Sequence, residues 1–86
     1  MVEMKTTVQN PTGLHARPAA QLVSLAKSFQ SKVTVLADDR SCDAKSIFGV
    51  LHACIKQGTE IVVRAEGNDE QTAAEEVVKY IETLEE

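Results

Sequence analysis

The sequence predicts an α+β fold, an open-faced sandwich in which a four-stranded, mostly antiparallel sheet carries three helices on one face. Two observations support this class. Apolar residues recur with the period of a strand or a helix in the order strand-helix-strand-strand-helix-strand-helix (βαββαβα). Each predicted element also has one apolar stripe, and helices on one face of the sheet would bury every stripe. The 86 residues suffice for a single domain over 1–86 and leave no room for a second core.

The chain begins with a strand and a helix. Residues 2–8 alternate between apolar and polar types, which is typical of a half-buried strand, and 10–13 (NPTG) end it in a turn. A helical pattern then extends from residue 15 or 16 to about 28. Pro18 fits only in the first turn, where its missing N–H would have no partner, and so indicates where the helix begins. The predicted buried stripe is Ala19, Leu22, Val23, Ala26 and Phe29.

A hairpin and a short helix follow. Residues 32–37 are rich in Val and Thr and predict a strand, and after a tight turn at 38–39 a third strand occupies 40–43. Ser46 is the predicted N-cap of the next helix, because its side-chain oxygen can accept a free N–H of the first turn. That helix is expected over 47–55.

The last part of the chain predicts one more strand and one more helix. Gly58 suits the left-handed conformation that ends many helices. Residues 59–66 alternate again, and Asp69 or Asn68 is the expected cap of the final helix, which extends to about Leu84. The apolar stripe of this helix is Ala74, Val77, Val78, Ile81 and Leu84.

The composition is that of a globular protein. Apolar residues make up 43% of the chain and charged residues 26%, so disorder is not expected. No apolar run approaches the roughly 18 residues that a membrane span needs, and the N-terminus lacks the pattern of a signal peptide. We therefore expect a cytoplasmic protein without membrane insertion.

Charge and cysteine content bear on other protein classes. The formal net charge of −4 argues against nucleic-acid binding. Acidic residues are concentrated in the last third of the chain, which is expected for an acidic C-terminal helix opposite a basic functional face. Cys42 and Cys54 have no metal-ligand spacing and are too few for a disulfide framework, so both are expected to be ordinary thiols.

The clearest chemical signal is the segment 13–20, GLHARPAA, which places His15 where a loop meets a helix. A lone histidine is more often structural, but its neighbours favour a nucleophile. The first turn of a helix has unpaired N–H groups and a partial positive charge, so the backbone at Ala16 can bind a phosphate carried on the imidazole. Arg17 adds a guanidinium that binds phosphate oxygens in pairs, and Gly13 lets the loop approach closely. We predict His15 and Arg17 as the catalytic pair, with Ala16 and Arg17 binding phosphate.

The sequence contains no second catalytic centre. It has no Gly-rich phosphate loop, no metal-ligand cluster and no carboxylate pair placed for acid–base catalysis. The chain would therefore receive a phosphoryl group and pass it on, without a cofactor or a metal. We expect a carrier protein and not an enzyme.

Several segments are similar to one known family. The segment 13–20 resembles the active-site signature of HPr, the histidine phosphocarrier of the bacterial sugar phosphotransferase system. Residues 43–51 (DAKSIFGVL) resemble the regulatory serine of that family and the helix after it, and 58–61 and 65–67 look like its later strand and turn. The resemblance covers nearly the whole chain.

The resemblance implies a carrier with two kinds of partner. The family takes a phosphoryl group from enzyme I, which is charged by phosphoenolpyruvate, and passes it to the IIA domains of sugar permeases. By resemblance, His15 carries the group on Nδ1 and Arg17 helps to hold it. We expect the chain to act as a monomer.

Partners are expected to dock on exposed apolar residues of the short helix. By their spacing, Ile47, Phe48 and Leu51 share one helix face, while Val50 and Ile55 would face inward. The alternative is that these residues belong to the core, and for Ile47 the sequence favours neither. A basic rim suits a weak, fast-exchanging contact with acidic partners. The rim consists of Arg17, Lys27 and Lys45. The residues assigned to docking are Ala20, Lys27, Lys45, Ile47, Phe48 and Leu51.

Ser46 matches the serine that an ATP-dependent HPr kinase/phosphorylase modifies in Gram-positive relatives, where the modified form acts through a catabolite-control transcription factor. Its role as a helix N-cap is compatible with this. A phosphate there would add about two negative charges beside the docking residues and weaken the binding of acidic partners.

Three positions depart from the common pattern. Asp43 replaces a frequent Asn and puts a negative charge near Ser46, His52 is expected to be an exposed helix residue, and Cys54 is expected to be buried.

Two other functions compete with the carrier. A purely regulatory module would act only through Ser46 and the docking residues, but the sister group with that role has lost the histidine that this chain retains as His15. A small RNA-binding domain shares part of the strand and helix order. Base stacking on a sheet needs aromatic residues on its strands, whereas the aromatic residues here lie outside the predicted strands, so RNA binding is disfavoured. These aromatic residues are Phe29, Phe48 and Tyr80.

Overall fold

The computed structural model describes residues 1–38, 40–53 and 55–84. Within these ranges it has four strands and three helices in the predicted order, which confirms the open-faced sandwich. The elements are β1 (Val2–Thr7), α1 (Ala16–Lys27), β2 (Lys32–Ala37), β3 (Arg40–Asp43), α2 (Ile47–His52), β4 (Glu60–Glu66) and α3 (Glu70–Glu82). No helix in these ranges has the length and apolar character needed to cross a membrane.

The sheet has the strand order β1-β4-β2-β3, and its three pairings are antiparallel. One row of aligned residues crosses all four strands, from Met4 through Val63 and Val35 to Cys42. Val63 and Val35 in the two central strands are almost completely buried. Because side chains alternate between the two faces of a strand, this row marks the face that the helices cover.

The core lies between that face of the sheet and the apolar stripes of α1 and α3. Each large aliphatic side chain buried there stabilises the fold by about 1.5–3 kcal/mol relative to an exposed one. Phe29 and Leu84 lie beyond the ends of α1 and α3 and are only half-buried, whereas the other predicted stripe residues are buried. The buried stripe residues are Ala19, Leu22, Val23 and Ala26 of α1 and Ala74, Val77, Val78 and Ile81 of α3.

Helix α2 ends at His52 and is therefore shorter than the predicted 47–55. The last carbonyls of a helix need partners from outside it. Here the Arg40 guanidinium donates to the Ala53 carbonyl at 2.7 Å, and the carbonyl of Ile55 accepts a backbone N–H from a different loop. These tertiary bonds hold the chain out of helical geometry. Cys54, predicted to be buried, lies outside the described residues.

Gly58 has the predicted left-handed backbone, with φ of +88°, but it does not end α2. It lies in a turn closed by a hydrogen bond from the Thr59 N–H to the Lys56 carbonyl, 3.1 Å long. Glycine is needed here because other residues rarely adopt this conformation. The conformation was therefore predicted correctly, but its place in the fold was not.

Asp69 occupies the N-cap position of α3, as predicted, but its side chain does not cap that helix. Its carboxylate accepts the backbone N–H groups of Gln30 and Ser31, both at 2.9 Å, and also the hydroxyl of Ser31. These bonds, with the Ser31 hydroxyl first, lower the pKa of Asp69. The side chain therefore ties the loop between α1 and β2 to the start of α3.

Candidate active site

His15 occupies the N-cap position of α1, with extended backbone torsions of φ −126° and ψ 154°. Its side chain is exposed and makes no capping hydrogen bond to the helix. The imidazole therefore lies at the helix N-terminus without being used to complete it. Because the first N–H groups of a helix lack partners within it, an anion attached to this ring meets hydrogen-bond donors.

Ala16, the first residue of α1, has a left-handed backbone with φ of +47°. For a residue with a Cβ this conformation costs about 1–2 kcal/mol. Ala16 is exposed, and it turns the chain directly from the extended His15 into the helix. A strained backbone position thus lies next to His15.

Arg17 lies in the first turn of α1 and is exposed, as predicted. That turn has no acidic residue. The positive charge of Arg17 and the positive end of the helix dipole therefore act in the same region. Pro18 follows in the same turn and is buried. The Tyr80 hydroxyl of α3 donates to the side-chain oxygen of Gln21 at 2.7 Å and lies 3.3 Å from the Pro18 carbonyl. These contacts attach the first part of α1 to the neighbouring helix.

The loop before His15 is anchored to the segment after α2. The N–H of Leu14, which is buried, donates to the Ile55 carbonyl at 2.9 Å. Gly13 has φ of +64°, and a Cβ at this position would lie 2.3 Å from the Ile55 carbonyl oxygen. The buried Asn10 donates from its side-chain amide to the Gly13 carbonyl at 2.8 Å. The close approach expected from Gly13 is therefore present, and it holds His15 at a defined place.

A depression of about 250 Å³ lies beside His15. Thr12 and Lys56 also line it, and neither was predicted as a site residue. Thr12 could have been found from its position in the turn just before His15. Lys56 could not, because only the folding of the chain brings it there. The apolar wall of the depression consists of Leu14 and Ile55.

Ser46 caps α2 as predicted. Its hydroxyl oxygen accepts the Gly49 N–H at 3.2 Å, and it is half-buried. Asp43 organises the turn before it, since its carboxylate accepts the Lys45 N–H at 2.9 Å and its carbonyl accepts the Ser46 N–H at 3.0 Å. The negative charge of Asp43 is therefore built into the turn that presents Ser46.

The apolar docking surface is smaller than predicted. Phe48 is 80% exposed, but Ile47 and Leu51 are half-buried and pack against the core. Val50 and Ile55 face inward, as expected. Ile47, for which the sequence favoured neither core nor surface, and Leu51 lie at the boundary between the exposed and the packed faces of α2. Their part in docking stays a prediction.

The predicted basic rim is also narrower. Lys27 and Arg17 are exposed, and so is Ala20 on α1. Lys45 is half-buried, however, and its ammonium group donates to the Phe29 carbonyl at 2.8 Å, beyond the end of α1. Lys45 is therefore less open to solvent than the other predicted rim residues, because its ammonium group is bound to a backbone carbonyl. Its part in docking stays a prediction.

A larger groove of about 590 Å³ lies between α2 and β3, and its wall includes Ser46, Phe48 and the exposed His52. Cys42, on the same wall, is a free thiol, and burial raises its pKa. A thiol of this kind is a poor nucleophile. Among the described residues, no three His, Cys, Asp or Glu side chains are grouped so that they could hold a metal ion.

Comparison with known proteins identifies a family that matches this chain. A family described as "PTS HPr component phosphorylation site" matches residues 2–83. The phosphocarrier protein HPr of Haemophilus influenzae is 48% identical over 73 residues, which are 85% of this chain and 86% of the relative. The HPr-like protein Crh of Bacillus subtilis is 42% identical over 82 residues, 95% of this chain and 96% of the relative.

A solved structure has the same fold. The HPr of Thermoanaerobacter tengcongensis aligns with a TM-score of 0.93 at 41% identity, covering 96% of this chain and 93% of that one. The family match covers nearly all of the chain, and each alignment with a sequence relative covers most of the length of that relative. This chain therefore belongs to the HPr family of the phosphotransferase system.

Proposed function

We propose that this protein is a phosphocarrier that accepts a phosphoryl group on His15 from enzyme I, itself charged by phosphoenolpyruvate, and passes it to IIA domains of sugar permeases. The observation that carries the proposal is an exposed histidine at the N-terminus of α1 that leaves the helix uncapped by its side chain. Membership of the HPr family supports the same chemistry. These exchanges would take place in the cytoplasm.

The transfer needs only a neutral imidazole and an electrophilic phosphorus. One ring nitrogen, Nδ1 by resemblance, attacks the phosphorus while the bond from phosphorus to its leaving group on enzyme I breaks. The other ring nitrogen of His15 keeps its proton, and the leaving group on enzyme I recovers the electron pair of the broken bond. Arg17 and the N–H groups of the first turn of α1 bind the phosphoryl oxygens. Transfer to a IIA domain repeats the step in the opposite direction.

Partner docking would use the surface around α2. Phe48 supplies the main exposed apolar contact, and Ile47 and Leu51 contribute their exposed edges. Ala20 and Lys27 extend this surface along α1. A small apolar centre suits a brief contact. The few cations around it speed the encounter, because electrostatic attraction to acidic partners raises the association rate more than the affinity.

The two histidines of the chain provide a direct test. We expect incubation with enzyme I and phosphoenolpyruvate to add one acid-labile phosphate to the wild-type protein and to His52→Ala, and none to His15→Ala. Mass spectrometry of the intact protein at neutral and acidic pH measures this. A labelled His15→Ala, or an unlabelled wild type, would contradict the carrier function.

A second, compatible function is regulation through Ser46. It is favoured by the position of Ser46 at the N-cap of α2, where a phosphate would meet the free N–H groups of the first turn, and by the similarity to the HPr-like protein Crh. An HPr kinase/phosphorylase and a catabolite-control transcription factor would be the partners. In a purely regulatory protein, His15→Ala would leave this activity intact.

Charge at Ser46 should reduce docking. We expect Ser46→Asp to slow phosphoryl uptake at low enzyme I concentration by about three- to tenfold, because the new carboxylate repels acidic partners next to Phe48. Initial rates with excess phosphoenolpyruvate measure this, with Ser46→Asn as the uncharged control. An equal loss in both variants would assign the effect to structure and reject the electrostatic switch.

The proposed carrier acts as a monomer. Phe48 and Met1 are the large hydrophobic residues exposed within the described ranges, and a stable interface buries about 800 Å² on each partner. An HPr of Thermoanaerobacter tengcongensis has also been solved as a dimer. Light scattering of this chain should report the mass of one copy, 9.3 kDa, and twice that mass would contradict the proposal.

A further inference from the structure

Lys56 is far from His15 in the sequence but lines the same depression. Its side chain is exposed at the rim, whereas Ile55 beside it is buried. Arg17 does not line this depression. The structure therefore places a second cationic residue next to His15, in addition to the arginine of the sequence motif.

The backbone of Lys56 is attached to the loop that carries His15. A Cβ on Gly13 would lie 2.8 Å from the Lys56 Cα, so the two backbones are in direct contact. Leu14, adjacent to His15, donates its N–H to the Ile55 carbonyl at 2.9 Å. The position of Lys56 relative to His15 is thus set by two short backbone contacts, one at Lys56 itself and one at the preceding residue, Ile55.

Further hydrogen bonds hold the same two segments together. The Gly58 N–H donates to the Val8 carbonyl at 2.7 Å, and the Val8 N–H donates to the Thr59 carbonyl at 2.9 Å. The side-chain amide of Gln57 donates to the Gln9 carbonyl at 2.9 Å. The segment after α2, from Ile55 to Thr59, is therefore bonded to the segment from Val8 to Leu14 that leads to α1. Lys56 lies near the end of this junction that is closest to His15.

The charge around Lys56 suits an anion. In the part of the chain that the structure describes, no acidic side chain pairs with Lys56 and none lines the depression. A lysine has a compact charge on a flexible stem with three donors, so its ammonium group can follow a phosphoryl group through small movements. Thr12 also lines the same depression.

We propose that Lys56 binds the phosphoryl group of phosphorylated His15 and so stabilises the charged form of the carrier. This rests on the proposed function, because it requires phosphohistidine at position 15. The ammonium group acts from the depression, while Arg17 and the N–H groups of α1 act from the helix. The role belongs to the phosphorylated state and is separate from partner docking on α2.

An equilibrium measurement distinguishes the two roles. With a catalytic amount of enzyme I and a fixed ratio of phosphoenolpyruvate to pyruvate, the ratio of phosphorylated to free carrier depends only on the two end states. Weaker docking would slow the approach to equilibrium without changing it. We expect Lys56→Gln to lower this ratio about two- to fivefold at low salt, Lys56→Arg to retain most of it, and the exposed control Lys79→Gln to match wild type.

Two further readings make the test specific. High salt should reduce the difference between Lys56→Gln and wild type, because it screens exposed charges. A phosphorus NMR titration should show a higher pKa for the second ionisation of the phosphoryl group in Lys56→Gln, since a neighbouring cation favours the dianion. A merely structural role would not move that ionisation.

The outcomes separate this proposal from the carrier function. If wild-type protein takes up no phosphate on His15, the carrier function itself fails. If wild type and Lys79→Gln are phosphorylated normally and Lys56→Gln has the same equilibrium ratio and the same phosphoryl ionisation, the carrier function stands and the role of Lys56 is overturned.

Discussion

Gly13 shows how one residue can determine the geometry of the site. Its φ of +64° is open to glycine, and the space where a Cβ would lie is filled by the Ile55 carbonyl. Ala16, at the start of α1, also has a left-handed backbone, with φ of +47°, but its side chain is exposed. Of these two left-handed positions, Gly13 is therefore the closely packed one.

The packing at Gly13 can be separated from its backbone conformation. We expect Gly13→Ala to lower the free energy of unfolding by about 2–5 kcal/mol, from backbone strain together with the clash at Ile55. Gly58→Ala should cost only about 1–2 kcal/mol, because Gly58 has a positive φ but no atom within 4 Å of the added Cβ. Urea denaturation measures both, and equal losses would show that the loop relaxes around Gly13.

At the scale of elements, α2 is the least self-sufficient part of the fold. Its six residues are too few to form a stable helix alone, and only Val50 among them is fully buried. It is held by Ser46 at one end and by the Arg40 bond to Ala53 at the other. The docking surface that we propose on α2 should therefore respond to changes at the ends of this helix.

Loss of the cap should therefore be measurable in stability. We expect Ser46→Ala to lower the free energy of unfolding by about 0.5–2 kcal/mol, because the Gly49 N–H loses its acceptor. Ser46→Asp should retain most of the stability, since aspartate is also a good N-cap. Chemical denaturation of the two variants tests this. If Ser46→Asp is as unstable as Ser46→Ala, its effect on docking cannot be assigned to charge alone.

For the molecule as a whole, two carboxylates near the start of α3 link stability to pH. Hydrogen bonds from Ser31 and Gln30 lower the pKa of Asp69, and a hydrogen bond from the N-terminal ammonium group lowers the pKa of Glu70. The folded protein then binds these protons less readily than the unfolded chain. This contribution to stability is complete above the unfolded pKa values, near pH 4, and is lost as the pH falls through the lower folded values.

The amino terminus has the opposite dependence. Its ion pair with Glu70, 2.6 Å long, raises the pKa of the Met1 amino group. This contribution is complete below the unfolded pKa of about 8 and is lost as the pH rises through the higher folded value. Stability from these groups should therefore be greatest between about pH 5 and 7.

Replacement of Asp69 tests the acid side of this profile. We expect Asp69→Asn to be less stable than wild type at pH 6 and to lose less further stability between pH 5 and 2, because it has no carboxylate to protonate. Urea denaturation across this range measures the slope, with Glu76→Gln, an exposed carboxylate on α3, as the control. A slope unchanged from wild type would show that Asp69 does not dominate the acid response.

The sequence by itself determined the order of elements, the start of α1 and the cap of α2, because these depend on residues within a turn or two of each other. Pro18 and Ser46 act on their own helices, and the motif around His15 is continuous. By contrast, the end of α2, the partners of Asp69 and the bond from Lys45 to the Phe29 carbonyl depend on contacts between distant segments.

Only the tertiary structure decided what surrounds His15. The sheet order places β1 next to β4, and their antiparallel pairing joins the loop after β1 to the segment just before β4. Backbone hydrogen bonds then bring Lys56 to the wall beside the histidine. The local pattern of apolar residues does not reveal these contacts. They result from the pairing of β1 with β4, which are separated by most of the chain. The histidine motif was therefore readable from the sequence, whereas the lysine beside it became visible only in the folded protein.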